Sequence, residues 1–149
     1  MPATTTSTEI ALAAAVRDGI ARAVAIVGLA GVALIHLLDL PGTFDEQAYK
    51  GWLYLVLIAG ALLTAAALVR SSHPRAWLAA SLLPLGAIVG YVWSRTIGLP
   101  GGADDIGNWT EPLGLASLFV EGSLVTLAAA VLRARQPHPV RPAMMGRAG

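Results

Sequence analysis

Glu121 is the one charged residue in the apolar run Pro112–Leu132. It stands nine residues into that run, about 13 Å from its start at 1.5 Å per helical residue. A carboxyl at such a depth can do three things: fix packing as a hydrogen-bonding group, exchange a proton or cation, or contact a ligand. Ser117 and Gly114 lie one and two turns earlier on its face. Arg95 and His36 stand near the ends of two other apolar runs and are its candidate partners. His36 and Asp39 form an i,i+3 pair, for which a helix-end His hydrogen-bonded to Asp is expected. Joined by Asp104, Asp105 or Glu111, that pair also has the donor types of a metal or cation site. His73 and His138 belong to the opposite side, so a haem held between histidines is not expected.

These residues sit in a chain of 149 residues that is 56% hydrophobic and only 13% charged, against about 25% charged in a soluble domain. Mean hydropathy is +0.67. A small soluble domain needs more polar surface than this chain has. The composition excludes a soluble globule, a disordered chain and a nucleic-acid binder, and leaves an integral membrane protein. The absence of Cys removes thiol catalysis, disulfide exchange, iron–sulfur clusters and Cys-type zinc sites. No cofactor is expected, apart from a metal ion as one reading of the acidic face.

About 20 apolar residues are needed to cross the hydrocarbon. Four runs qualify, at about 20–40, 51–69, 76–97 and 112–132. The expected fold is all-α: an up-down four-helix bundle over residues 20–133. A polar or amphipathic segment, 1–19, precedes it, with Ser7 or Thr8 as cap and Gly19 as a bend. Residues 1–16 carry no Lys or Arg, so a cleavable signal peptide is not expected. A basic, Pro-rich tail, 134–149, follows.

Basic residues set the orientation. Arg17, Arg22, Arg70, Arg75, Arg133, Arg135, Arg141 and Arg147 all flank one side. Lys50 and Arg95 share the other with Asp39, Asp45, Glu46, Asp104, Asp105 and Glu111. Both termini are expected in the cytoplasm, with the acidic loops outside a plasma membrane.

The Ser71–Arg75 turn permits only an antiparallel hairpin, whereas the outer connections, Pro41–Lys50 and Gly98–Glu111, are longer. The second is punctuated by Gly98, Pro100, Gly101, Gly102 and Gly107, yet keeps Ile97, Leu99, Ile106 and Trp109. It reads as a structured outer loop with Trp109 buried beneath it. Thr110 is the expected cap of the last helix, with Glu111 and Pro112 in its first turn. Most aromatics gather at this side, as an interface belt or a cap. Gly86 and Gly90 form a small-residue helix-contact face. Pro84 is expected to kink the third span.

Tyr91-Val-Trp-Ser-Arg-Thr-Ile-Gly-Leu-Pro100, followed by Asp105-Ile-Gly-Asn-Trp-Thr-Glu-Pro-Leu-Gly-Leu-Ala-Ser-Leu-Phe-Val-Glu-Gly122, resembles a signature of small four-span membrane proteins of high-GC Gram-positive bacteria. The resemblance covers about a quarter of the chain strongly and brings no activity, cofactor or site with it. No nucleophile–base pair or phosphate-binding loop is present. The leading reading is a non-enzymatic accessory or oligomeric subunit, as a homo-oligomer or within a larger membrane complex. The second is a small proton- or cation-coupled transporter or channel centred on Glu121. The third is an outer-face metal or ligand site. The orientation predicts that a cysteine at Asp104 is labelled from outside the cell, and one at His73 only after permeabilisation. The reverse pattern contradicts it.

Overall fold

The computed structural model describes residues 3–136, with side chains from Thr6. Four helices carry the chain: α1 (Ala3–Glu46), α2 (Ala48–Arg70), α3 (Pro74–Thr96) and α4 (Pro112–Ala134). Each is long and apolar enough to cross a membrane. They make a multi-pass bundle in which α1 packs on α2 and α4, and α3 on α4 and α2. Helix is what such runs must form, because hydrocarbon offers no partner for a free backbone group. The tail beyond Gln136, with His138, Arg141 and Arg147, lies outside the described residues.

Two boundaries differ from the sequence reading. Helix α1 begins at Ala3, upstream of the expected cap, and passes Gly19 without a break over 44 residues. At 1.5 Å per residue it is about 66 Å long, twice the hydrocarbon thickness. Its side chains from Thr6 to Arg17 are exposed. At its other end the expected loop 41–50 is mostly helical. Pro41 lies inside α1, and Gln47 alone separates α1 from α2. Proline removes one donor, the one that would meet the Leu37 carbonyl, and two residues on Thr43 Oγ donates to the Asp39 carbonyl at 3.0 Å. The Phe44 ring then seats on Gly51, where an added Cβ would come within 2.6 Å of it. That contact draws the last turn of α1 onto α2.

The two ends of the bundle are built differently. At the turn end, near Ser71–His73, the core is dry. Ala25, Leu29, Val32, Ala61, Leu68, Trp77, Ala80, Leu124 and Ala128 close against one another. Leu124 fits against Gly28 of α1 so closely that an added Cβ would lie 2.9 Å away. Arg22 donates to the last carbonyls of α2, Leu68 and Val69, at 2.8 and 2.7 Å. Trp77 is fully buried, and its indole N–H donates to Ser72 Oγ at 2.9 Å. Asp18 accepts from that hydroxyl at 2.7 Å and from Arg135 at 2.6 Å. This knot ties the helix α1 to the ends of α2, α3 and α4.

At the loop end, Gly98 takes φ +87° and stops α3, its N–H reaching the Trp93 carbonyl at 3.1 Å as in other αL helix ends. Gly107, at φ +81°, donates to the Arg95 carbonyl at 2.9 Å and closes the loop on its own start. A short 3-10 turn, Ala103–Asp105, lies between them. The expected burial of Trp109 is not found: it is 42% exposed, edge-on to Tyr91 at 6.1 Å. The loop is held by the charge pairs of Arg95 and Lys50 rather than by burial of the indole. Thr110 is not the cap of α4 either. Glu111 occupies the N-cap with Pro112 following, because its carboxylate is drawn back to Arg95.

These burials predict unequal costs in detergent unfolding. Trp77→Ala is expected to lose roughly 3–5 kcal/mol, as for a fully buried aromatic. Trp109→Ala is expected to lose about 1 kcal/mol, the value of one exposed aromatic pair. Equal losses would contradict the packing described.

A candidate polar cavity within the bundle

A cavity of about 580 Å³ occupies the loop half of the bundle. Ile35, Leu57, Leu83 and Glu121 mark its inner limit on the four helices, beyond which the dry core begins. Its floor carries Glu121, 1% exposed, and His36, 7% exposed. The helical period that buries Ser117, Glu121, Leu124 and Ala128 along one face of α4 aims the carboxyl inward. Ser117 Oγ donates to Glu121 Oε1 at 2.8 Å. His36 Nδ1 lies 2.9 Å from the Val32 carbonyl. A carbonyl can only accept, so Nδ1 holds the proton of a neutral ring. Nε2 is then the free basic nitrogen, and it faces Glu121 Oε1 at 3.8 Å. Carboxyl and imidazole thus share a site with two proton arrangements, neutral–neutral and carboxylate–imidazolium.

Asp39 lies one turn above His36, but it is not the hydrogen-bond partner expected for that ring. Helix α2 brings in Tyr54, whose hydroxyl donates to Asp39 Oδ2 at 3.2 Å. Thr43 Oγ lies 3.4 Å from the same oxygen. The Tyr54 ring stands edge-on to His36, with centroids 4.7 Å apart. The titratable groups facing the cavity are His36, Asp39 and Glu46 from α1, Lys50 and Tyr54 from α2, Tyr91 and Arg95 from α3, Asp105 from the loop, and Glu111 and Glu121 from α4.

Arg95 is the clasp at the mouth. It is 7% exposed and pairs with Asp105 and Glu111, joining the end of α3 to the loop and to the start of α4. It does not pair with Glu121. Its guanidinium lies 4.9 Å from the centroid of the Tyr91 ring. That ring in turn rests on Gly114, where a Cβ would come within 2.6 Å of it. The Tyr91 hydroxyl is buried with no partner among the described residues. Lys50 reaches Asp105 at 3.1 Å and Glu46 at 3.6 Å, adding α1 and α2 to the clasp.

Burial alone would raise the Asp105 carboxyl, but the bonds from Lys50 and Arg95 outweigh it and hold the group below the ordinary range. Glu111 moves the other way. Burial raises it, with the Asp39 charge adding to the effect and Arg95 opposing it.

Two further expectations are corrected. Gly86 and Gly90 do not form a helix contact within the chain. They line the cavity, and an added Cβ at either meets nothing within 4 Å. Asp104 is exposed and stands outside the cavity. Among the described residues, no three His, Asp or Glu side chains gather as a metal-binding group. The sequence reading placed Tyr54 and Tyr91 among the outer aromatics and Lys50 among the outer charges, but gave neither these nor Thr43 a part in a site. Helical spacing held a signal for two of them: Tyr54 is four residues after Lys50, and Tyr91 four before Arg95. No family model matches the chain, and comparison with curated proteins and with solved structures finds no match.

The clasp predicts a pH dependence. A carboxylate held below its unfolded value stabilises above that value, and the contribution is lost as pH falls through the depressed one. Gly107 amide exchange, corrected for intrinsic rate, is therefore expected to accelerate below about pH 4. Asp105→Asn should exchange fast throughout and lose that transition. An unchanged profile in the variant contradicts the clasp.

Proposed function

We propose that this protein is a small proton- or cation-coupled transporter of the plasma membrane, working through Glu121. The observation that carries the reading is the cavity that ends on a buried carboxyl and a basic imidazole nitrogen, with no Lys or Arg at either among the described residues. Ionisable groups at this depth are costly and usually belong to proton relays or ion paths. The dry core beyond Glu121 closes the opposite side, as alternating access requires of one state. The basic turn end faces the cytoplasm in this reading, with the cavity mouth outside. Binding of a cation at the floor would displace the proton carried by the Glu121 carboxyl or the neighbouring His36 ring. Release of that proton couples the two movements.

A second reading, the accessory subunit, draws on the far side of α4. There Gly122, Ser123 and Thr126 line a shallow groove beside Phe119, which is 76% exposed. Small residues of this kind let helices of different chains approach closely.

The transporter reading is tested in vesicles carrying a trapped pH-sensitive dye, with Na⁺, K⁺ or methylammonium added outside. The wild-type protein is expected to move protons in response to at least one of them. Glu121→Gln keeps shape and hydrogen bonding, so it should elute and melt like the wild type and yet give no response. Full response in that variant, or none in the wild type beyond empty vesicles, overturns the reading.

A further inference from the structure

The cavity has an open side as well as a mouth. On α2, Leu53 and Val56 line it and are nonetheless 59% and 68% exposed. Opposite them on α3, Gly86 and Gly90 line it, are exposed, and have open space where a side chain would begin. The gap between the two helices is bounded on both ends. Toward the turn, α2 and α3 close where Leu83 packs on Gly60, with an added Cβ 3.1 Å away. Toward the loop, the Tyr49 hydroxyl donates to the Pro100 carbonyl at 2.9 Å, and Lys50 meets Asp105. The gap is therefore a window in the wall. Its rim residues lie roughly 8–15 Å from the loop ends of their helices, at the level of the hydrocarbon. Its two sides, Leu53 and Val56 on α2 and Gly86 and Gly90 on α3, are apolar.

What lies behind the window is acidic. Lys50 and Arg95 are both taken up by carboxylates. Asp39 and Glu121 have no Lys or Arg partner among the described residues, and the Tyr54 ring stands beside them, bonded to Asp39 and edge-on to His36. Two acids without a Lys or Arg partner, with the Tyr54 ring beside them, complement a positive charge carried on an apolar body. An anionic head group would meet uncompensated repulsion there.

We infer that the cavity takes a hydrophobic organic cation from the bilayer through the window between α2 and α3. The cation crosses the rim with its apolar body against Leu53 and Val56 and comes to rest with its charge between Asp39 and Glu121. This inference names the substrate class of the transporter reading and rests on it.

Tetraphenylphosphonium binding to the full chain in lipid nanodiscs tests it, with tetraphenylborate as a probe of the same shape and opposite charge. Saturable binding of the cation and none of the anion is expected. Glu121→Gln and Asp39→Asn should each weaken it roughly 30-fold or more, as when one member of a buried charge pair is lost. Gly86→Leu with Gly90→Leu should block the window, and so, from the other rim, should Val56→Trp. Both should slow association of the phosphonium. Equal binding of both probes overturns the charge argument, and wild-type association in both blocked variants overturns the side route. If small cations still drive proton movement but the phosphonium does not bind, the inference fails and the transporter reading stands. If neither occurs, both fail.

Discussion

A carboxyl group halfway along an apolar helix must be given polar company, and the loop half of this bundle is organised around that requirement. Glu121 is answered from its own helix by Ser117 and from α1 by His36. Neither neutralises it permanently. A Lys or Arg in that place would form a fixed pair, whereas a hydroxyl and a neutral imidazole leave the proton free to move. The space above the pair follows from the same constraint. Glycines at 86 and 90 withhold side chains where larger residues would have filled the bundle.

The cationic side chains of the loop end are spent elsewhere. Arg95 and Lys50 gather Asp105, Glu111 and Glu46, and so fasten a glycine-punctuated loop and four helix ends into one clasp. The turn end uses a separate knot of Asp18, Ser72, Trp77 and Arg135 over a dry core. Between these fixed ends, the looser stretch is the gap where α2 and α3 diverge above Gly60 and Leu83. Rigidity at both ends and space in the middle are what a binding cavity within a membrane bundle needs.

The spans were legible because hydrocarbon imposes one length and one composition on them. Glu121 was legible for the same reason: a lone carboxylate in such a run is costly unless it is used. The misreadings all concern competition between local signals and packing. Pro41-Gly42 carries the local mark of a helix end, but the seating of Phe44 on Gly51 outweighs it. Gly86 and Gly90 carry the spacing of a helix contact, and spacing does not say whether a neighbour comes close or a space is left. Trp109 was assigned to the interior on hydrophobicity, while the loop is in fact held by Arg95 and Lys50. Tyr54 and Tyr91 resemble any interface aromatic in sequence; only the pairing of helices brings one to Asp39 and the other beneath Arg95.

The central claim is that the Glu121 carboxyl exchanges its proton through the cavity. Infrared difference spectroscopy of the protein in lipid reads that group directly. A carboxylic acid C=O band that titrates with external pH, shifts in heavy water and is missing from Glu121→Gln is the result this account predicts. A Glu121 band that neither titrates nor shifts in heavy water would contradict it, and would reduce the carboxyl to a fixed element of packing.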